Sequence, residues 1–479
     1  MARQVIKKVD PAFTGRTIIY SDATSITREN VKDELLNAIS YHNHNQAEID
    51  YLYHYYKGAQ PIRNRKKVTN EEINNKITEN IANEIVTFKT SYLMGEPLQY
   101  VARRNEEKVI DEVTSLNDMM IDVSKNLKDK ELAQWFHICG TAYRMVLATD
   151  DLFDIYTLDP RNTFVVYSNT IGNKPLFATT FIQNKTTGEY TYYVYTANKC
   201  FIITNDSIEE SDHYLGAIPI IEYPLNSARI GSFEIVLSLL DAINSTDSNR
   251  LDDIEQHIQA FLVLSGADIS YEQLVELKEQ RALKVPTDAD VKYLMADLDE
   301  NGVQVLKDDF YRAVRRICGL PASGDGNTSD SSNNGAMIVK NGWYDAEARA
   351  KNTEEQFKNS EKKLLKIIFN ILSLHNFDLK LTDVDMIMPR KNYENAQSKA
   401  QTLTTLLGCE KIHPKLAFEF SGMFNDPNLA YNQSMEYYNE QVKSQQEELR
   451  QAFEQERENA NLNEEDLLNK EIDNEENEL

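Results

Sequence analysis

The sequence predicts a mainly helical α+β protein, and three features carry that prediction. Long stretches place apolar residues at three- and four-residue intervals, and one block between Thr141 and Pro224 is β-branched and aromatic. A thirteen-residue run without an apolar side chain, Ser323 to Gly335, separates two helical patterns. With 479 residues, 41% of them hydrophobic, the chain can fill a large core and form more than one domain.

Helical patterns cover Thr27 to Lys57 and Asn70 to Leu93, the second carrying Ile73, Ile77, Ile81 and Ile85 four apart, with Glu71 and Glu72 in its first turn. A third begins after Asn105 on Val109, Val113, Leu116 and Met120, and a fourth spans about Lys130 to Cys139. From Thr141 to Pro224 the segments AYRMVLAT, DIYTLDP, TFVVYS, ATTFIQ, EYTYYVYT and CFIITN, separated by turn signals, predict an antiparallel β meander. Ser232 is a good N-cap for a helix running without Pro or Gly to Ser265, a rod of about 50 Å at 1.5 Å per residue. Its stripe of Phe233, Val236, Leu237, Leu240, Ile243, Leu251, Ile254, Ile258 and Phe261 is interrupted by polar Asn244 to Arg250.

Residues 267 to 302 read as a small insert: a helix Tyr271 to Ala282, strands Leu283 to Val285 and Val291 to Met295, and a turn at Asp299 to Gly302. A helix Val303 to Cys318 then ends at Gly319 and Pro321. After the polar run, expected to be a mobile loop, Ala336 to Ser373 is helical with Gly342 as its weak point. A strand at Asp378 to Pro389 precedes helices at Tyr393 to Leu407, Pro414 to Ser421 and Pro427 to about Asn459, the last with Asp426 as N-cap. The final 39 residues hold 13 Asp+Glu against 4 Lys+Arg, which predicts that residues 460–479 are disordered.

Composition narrows the function classes. The balance of 51 Lys+Arg against 76 Asp+Glu gives a net charge of −25, so bulk charge does not draw the chain to phosphate backbones or anionic membranes. No run of 18 uncharged apolar residues and no apolar signal segment occurs, so neither export nor membrane spanning is expected. Cys139, Cys200, Cys318 and Cys409 lie far apart, which fits a reducing compartment better than a disulfide framework or a zinc site.

Catalytic motifs are missing. GDGNTS lacks the lysine and spacing of a P-loop, and neither G-x-S-x-G nor H-E-x-x-H occurs. His42 and His44, two apart on a helix, cannot share a metal and read as exposed polar residues. Asp297, Asp299, Asn301, Gly302 and Asp308 fall at calcium-loop positions, but Asp replaces the final Glu and Gln304 stands where an apolar residue is usual. A strand-to-helix turn capped by Asp299 or Asn301, without metal, is the better reading. The basic cluster Arg63, Arg65, Lys66 and Lys67 reads as a solvated loop. Arg312 and Arg316 share a helix face that could meet nucleic acid, an acidic subunit or water.

The order of elements, together with YLYHYYKGAQPI (Tyr51 to Ile62), NIANEIVTFKTSYLMGEPL (Asn80 to Leu98), the stretch Gly231 to Gly266, VDMIMPRKNYENAQ (Val384 to Gln397) and Leu406 to Gln441, resembles the portal proteins of tailed double-stranded-DNA bacteriophages, in the long-tailed branch. The resemblance, over about residues 25 to 445, implies a dodecameric ring around a channel, whose subunit has wing, stem, clip and crown regions. On this chain it implies a wing over 1–230, stem helices over 231–266 and 303–321, a clip over 267–302 and a tunnel loop over 322–335. A tunnel helix and wing strand would follow over 336–392, a crown over 393–459 and an acidic tail over 460–479. The stem's apolar stripe would pack on neighbouring subunits and on the return helix. Asn327, Thr328, Ser329, Ser331, Ser332, Asn333 and Asn334 would face DNA, with Lys340 a phosphate contact. Glu276, Lys278, Glu279 and Arg281 would meet partners at the clip. The implied partners are double-stranded DNA bound without sequence preference, the terminase large subunit, a head-completion adaptor, and major capsid and scaffolding proteins. The implied location is the virion, with the host cytoplasm during assembly; no cofactor and no catalysis are implied. Two other readings remain open on sequence: an enzyme whose site lies in the meander, and an acidic cytosolic scaffold or adaptor without a DNA role.

Overall fold

The computed structural model describes residues 15–67, 72–104, 106–150, 152–258, 261–265, 290–294, 300–321, 342–375, 377–390, 396–424 and 427–476. It divides into two compact units, Met1–Lys391 and Asn392–Leu479, and combines helices with sheets as the sequence predicts. The expected helix Tyr271 to Ala282, the strand Leu283 to Val285 and the polar run Ser323 to Gly335 lie outside the described residues.

In the first unit, helix α1 (Val31–Tyr56) buries Val31, Leu35, Ala38, His42, Asn45, Ile49, Leu52 and Tyr55, a seam with three- and four-residue steps. Its first half lies on a six-stranded sheet ordered β1-β5-β6-β7-β8-β9, through a core that includes Phe164, Phe177 and Phe201. Here β1 is Ile19–Ser21, β5 Thr163–Ser168, β6 Pro175–Gln183, β7 Tyr190–Tyr195, β8 Lys199–Ile203 and β9 Ile208–Asp212. Strands β5 to β9 form the predicted antiparallel meander, whereas β1, which the sequence reading missed, joins parallel to β5. The rest of the β block forms a second sheet, ordered β10-β3-β4, from β3 (Thr141–Thr149), β4 (Leu152–Leu158) and β10 (Ile220–Pro224). Strand β2 (Gln99–Ala102) pairs with β13 (Val384–Ile387), closing a distance of nearly the whole unit in sequence.

Helices α2 (Ile81–Leu93), α3 (Glu107–Asp122) and α4 (Lys125–Cys139) complete the N-terminal part. The expected helix from Asn70 is corrected: only Ile81 onward is helical, and residues 73–80 run without helix toward Asn80, whose side chain caps α2 by accepting from the Asn83 amide. The expected single rod Ser232 to Ser265 is also corrected. It opens with a 3-10 turn, Glu234–Val236, continues as α5 (Leu237–Ile258) and gives way to strand β11 (Phe261–Ser265), paired antiparallel with β12 (Asp290–Leu294). Helix α6 is Glu300–Cys318, and α7 is Trp343–Leu372, with Gly342 as its N-cap at φ +78° and not an interior weak point. The second unit contains α8 (Ala396–Leu407), α9 (Pro414–Ser421) and α10 (Pro427–Glu476). Helix α10 continues through residues 460–476, where the acidic composition predicts disorder.

His42 is buried, not exposed. Its Nε2 lies 2.9 Å from the Arg161 carbonyl oxygen and its ring is 4.6 Å from that of Phe164. Burial pulls its pKa down from 6.5 to about 4, against the opposing effect of that hydrogen bond. His137, also buried, is held well below 6.5, chiefly by desolvation and then by the charge of Lys89.

The largest core, between the three-stranded sheet, α3, α4 and α7, encloses four charged side chains. Lys125 Nζ is 2.6 Å from Asp129 Oδ2 and 3.0 Å from Glu361 Oε1, and Arg144 Nη1 is 2.6 Å from Asp129 Oδ1. Tyr100 and Tyr223 donate to the two Glu361 oxygens at 2.6 and 2.8 Å, and the next residue back, Ser360, donates to the Glu222 carbonyl. Two cations and two anions balance inside the core, and the network ties α7 to α4, β2, β3 and β10. Removing one partner leaves a buried charge without compensation, which costs about 3–5 kcal/mol.

Two predictions follow from these groups. Glu361→Ala destabilises the first unit by about 3–5 kcal/mol, seen as a lower urea midpoint, and a loss under about 1 kcal/mol contradicts the network's role. The folded chain keeps His42 neutral down to about pH 4 while the unfolded chain protonates it near 6.5. The unfolded state therefore binds more protons below pH 6.5, and stability falls by about 2 kcal/mol between pH 7 and 4.5 on account of this residue. His42→Phe flattens that part of the pH profile of thermal unfolding.

Candidate functional site: an antiparallel helix pair and the junction at its end

Helices α5 and α6 lie antiparallel, because their contacts run in opposite directions along the chain. Arg250 donates to Gln304 at 3.0 Å, Lys307 pairs with Asp247 at 2.7 Å, and Cys318 reaches the Ser232 carbonyl oxygen. At 22 and 19 residues they are about 33 and 28 Å long, and the β11–β12 ribbon follows the far end of α5. The apolar half of this helix pair packs within its own chain: Phe233, Val236, Leu240 and Ile243 meet Val314 of α6, Leu52 and Tyr55 of α1, and Ile81 and Ile85 of α2. The expected packing on the return helix is thus seen, and the expected contact with neighbouring subunits does not extend to these four buried residues.

The polar interruption of the stripe has a partner. Asn244, Ser248 and Asp252, four residues apart on one face of α5, are all fully buried. Their side-chain oxygens accept from the backbone amides of Glu79, Ile77 and Asn75 at 2.8, 3.0 and 2.8 Å. Every second amide from Asn75 to Glu79 thus meets every fourth residue of the helix. Asn244 also donates to Gln60, and Asp252 receives Lys67 at 2.6 Å and Arg65 at 3.1 Å. The basic cluster is therefore only partly a solvated loop: two of its four cations clamp Asp252. Desolvation opposes ionisation of Asp252, but hydrogen bonds from Lys67 and Asn75 outweigh it and hold the carboxyl below its usual range.

At the other end of α6 the chain is pinned. Gly319 takes φ +66° and ends the helix, while Arg349 of α7 donates to the carbonyls of Ile317 at 2.6 Å and Arg316 at 3.3 Å, and to Asp345 at 3.0 Å. A cation on the last carbonyls also meets the negative end of the helix dipole. A Cβ at Gly319 would come within 2.4 Å of Arg349 Cδ, so the close approach depends on glycine. A Cβ on Gly342 would lie 3.7 Å from Pro321 Cα, which places positions 321 and 342 side by side. The end of α6 and the start of α7 thus meet at one junction. Trp343, next to it, lies 6.0 Å from Phe88 and 5.9 Å from Tyr92, whose hydroxyl donates to Glu347, itself paired with Arg390.

Several expected site residues lie outside the described residues: Asn327, Thr328, Ser329, Ser331, Ser332, Asn333, Asn334 and Lys340 of the loop, Glu276, Lys278, Glu279 and Arg281 of the clip, and Asp297 and Asp299. Of the calcium-loop pattern, Asn301 is exposed in the first turn of α6, and Asp308 accepts from Gln304 on the same helix. No group of three metal-ligating residues occurs among the described residues. Arg312 is exposed and paired with Asp309 one turn away. Sequence reasoning missed Arg349 and the acceptors on α5; the latter's four-residue spacing inside an apolar stripe was the available signal.

Among solved structures, the chain is similar to one titled "Neck of empty GTA particle computed with C6 symmetry", at TM-score 0.46 and 10% identity, covering 72% of this chain and 90% of the other. A second, "Neck of native GTA particle computed with C12 symmetry", has TM-score 0.41 and 11% identity, covering 71% and 89%. Comparison with curated proteins gives no significant match. The sequence pattern of the family described as "Phage portal protein, SPP1 Gp6-like" matches residues 37–461, nearly the whole of both units, and the chain belongs to that family.

Proposed function

We propose that copies of this chain form a ring at one vertex of a phage-like capsid, and that double-stranded DNA is packaged and later released through its channel. The observation that supports this reading is that residues 321 and 342, which flank the polar run Ser323 to Gly335, lie side by side at the junction of α6 and α7. Residues Asn327 to Asn334 offer amides and hydroxyls and a single charge, Asp330. Such a ring of side chains touches a moving duplex without holding its phosphates, and so acts as a collar, not as a reader of sequence.

The net charge of −25 supports the same division of labour. A wall biased toward negative charge repels the duplex and lowers its friction, whereas a strongly basic wall would grip it. The chain carries no nucleotide-binding motif, so the work of translocation falls to an ATP-driven terminase, with residues 267–302 as its docking region and later that of a head-completion adaptor. Lys340, just before α7, is the proposed phosphate contact, and capsid and scaffolding proteins surround the outer face. No catalytic step is assigned to the chain.

Deleting Asn327 to Asn333 leaves ring assembly intact in negative-stain images, because both flanks stay anchored through Arg349 and Gly342. The same deletion lowers DNA packaging or retention in particles. Normal packaging and retention by the deleted form would remove the loop from the mechanism.

A further inference from the structure

The second unit leaves two apolar surfaces uncovered, and they differ in shape and charge. Among its described residues, Ala417 and Phe418 are the buried apolar side chains, with Phe418 stacked on Phe424 and edge-on to Tyr431. Helices α8 and α9, of 12 and 8 residues, are about 18 and 12 Å long, whereas the 50 residues of α10 extend about 75 Å. The shorter helices therefore cannot follow α10 beyond its first turns. Past that point Tyr431, Met435, Tyr438, Val442 and Leu449 fall at intervals of four, three, four and seven, the spacing of a helix-packing seam. Tyr438 is 61% and Leu449 59% exposed, and Phe453 beside them is 67% exposed.

The other surface is on α9. Leu416 and Phe420, one turn apart, are exposed, Phe420 to 79%, with Met423 just past the helix end. Residues 396–424 carry three lysines against two glutamates, and residues 427–454 carry five glutamates against two basic residues. The α10 surface is acidic and elongated, and the α9 surface is short and slightly basic. Pairing either surface with its own copy would juxtapose like charges, while pairing one with the other joins opposite charges and covers both apolar patches.

We propose that the 431–453 segment of α10 in one copy docks on the Leu416, Phe420 and Met423 surface of a second copy, so that the second units join head to tail. Such a heterologous contact generates a ring when its rotation closes. The proposal extends the ring reading above and can fail separately from it.

The test uses the full chain with Cys409→Ser, since Cys139, Cys200 and Cys318 are buried and Cys409 is exposed. Phe420→Cys and Leu449→Cys are introduced singly and together, oxidised with copper phenanthroline, and run on non-reducing gels beside negative-stain images. The double variant gives a ladder of linked copies, and each single variant stays monomeric on the gel. A dimer from Leu449→Cys alone means that like surfaces pair and overturns the proposal. A link within one chain, or no link in the double variant, also overturns it; rings seen in that same sample would leave the ring reading standing. A ladder without rings would keep the head-to-tail contact and remove the ring.

Discussion

Three buried acceptors on one face of α5 hold this helix to the 73–80 segment of the first unit. A helix advances about 6 Å over four residues, and an extended chain advances about 6.6 Å over two, so the two repeats stay in step for three contacts. Asn244, Ser248 and Asp252 use that near match to accept from three amides of a half-buried segment that would otherwise lack these partners. Each such orphan would cost about 1–3 kcal/mol. The polar stretch of α5 is thus bound to the first unit by hydrogen bonds, as the apolar stretch before it is by packing.

Much of the architecture follows from that contact. The 73–80 segment delivers the chain to α2, whose Phe88 and Tyr92 receive Trp343 at the start of α7. The far half of α7 is fixed by Glu361 in the charged core, and its near half by Arg349 on the last carbonyls of α6. Residues 321 and 342 therefore belong to one packed body, in which α6 and α7 are held together. The ion pairs that do this are internally balanced, so the fold's negative charge is carried elsewhere on its surface.

The parts of the fold that follow a single repeat were legible in the sequence. The seams of α1 and α3, the β-branched and aromatic runs of β5 to β8 and the stop at Gly319 are local, and neighbouring residues favour the same element. What was not legible depends on distant partners. Ile73 and Ile77 continue the spacing of Ile81 and Ile85, yet residues 73–80 are held off the helix by acceptors about 170 positions away. His42 has the same look as His44 in sequence, but only His42 faces the sheet. Strands β1 and β2 are too short to show a pattern without β5 and β13 beside them. The junction of α6 and α7 was not legible either, because it depends on Arg349, a residue with no local signal.

Hydrogen exchange at the amides of Asn75, Ile77 and Glu79 tests the central claim most directly. If the acceptors on α5 hold this segment, those three amides exchange as slowly as the interior amides of α2, and Asp252→Ala speeds exchange at Asn75 before the others. Exchange of all three at the rate of an unstructured chain, in a protein whose α2 remains protected, would contradict it.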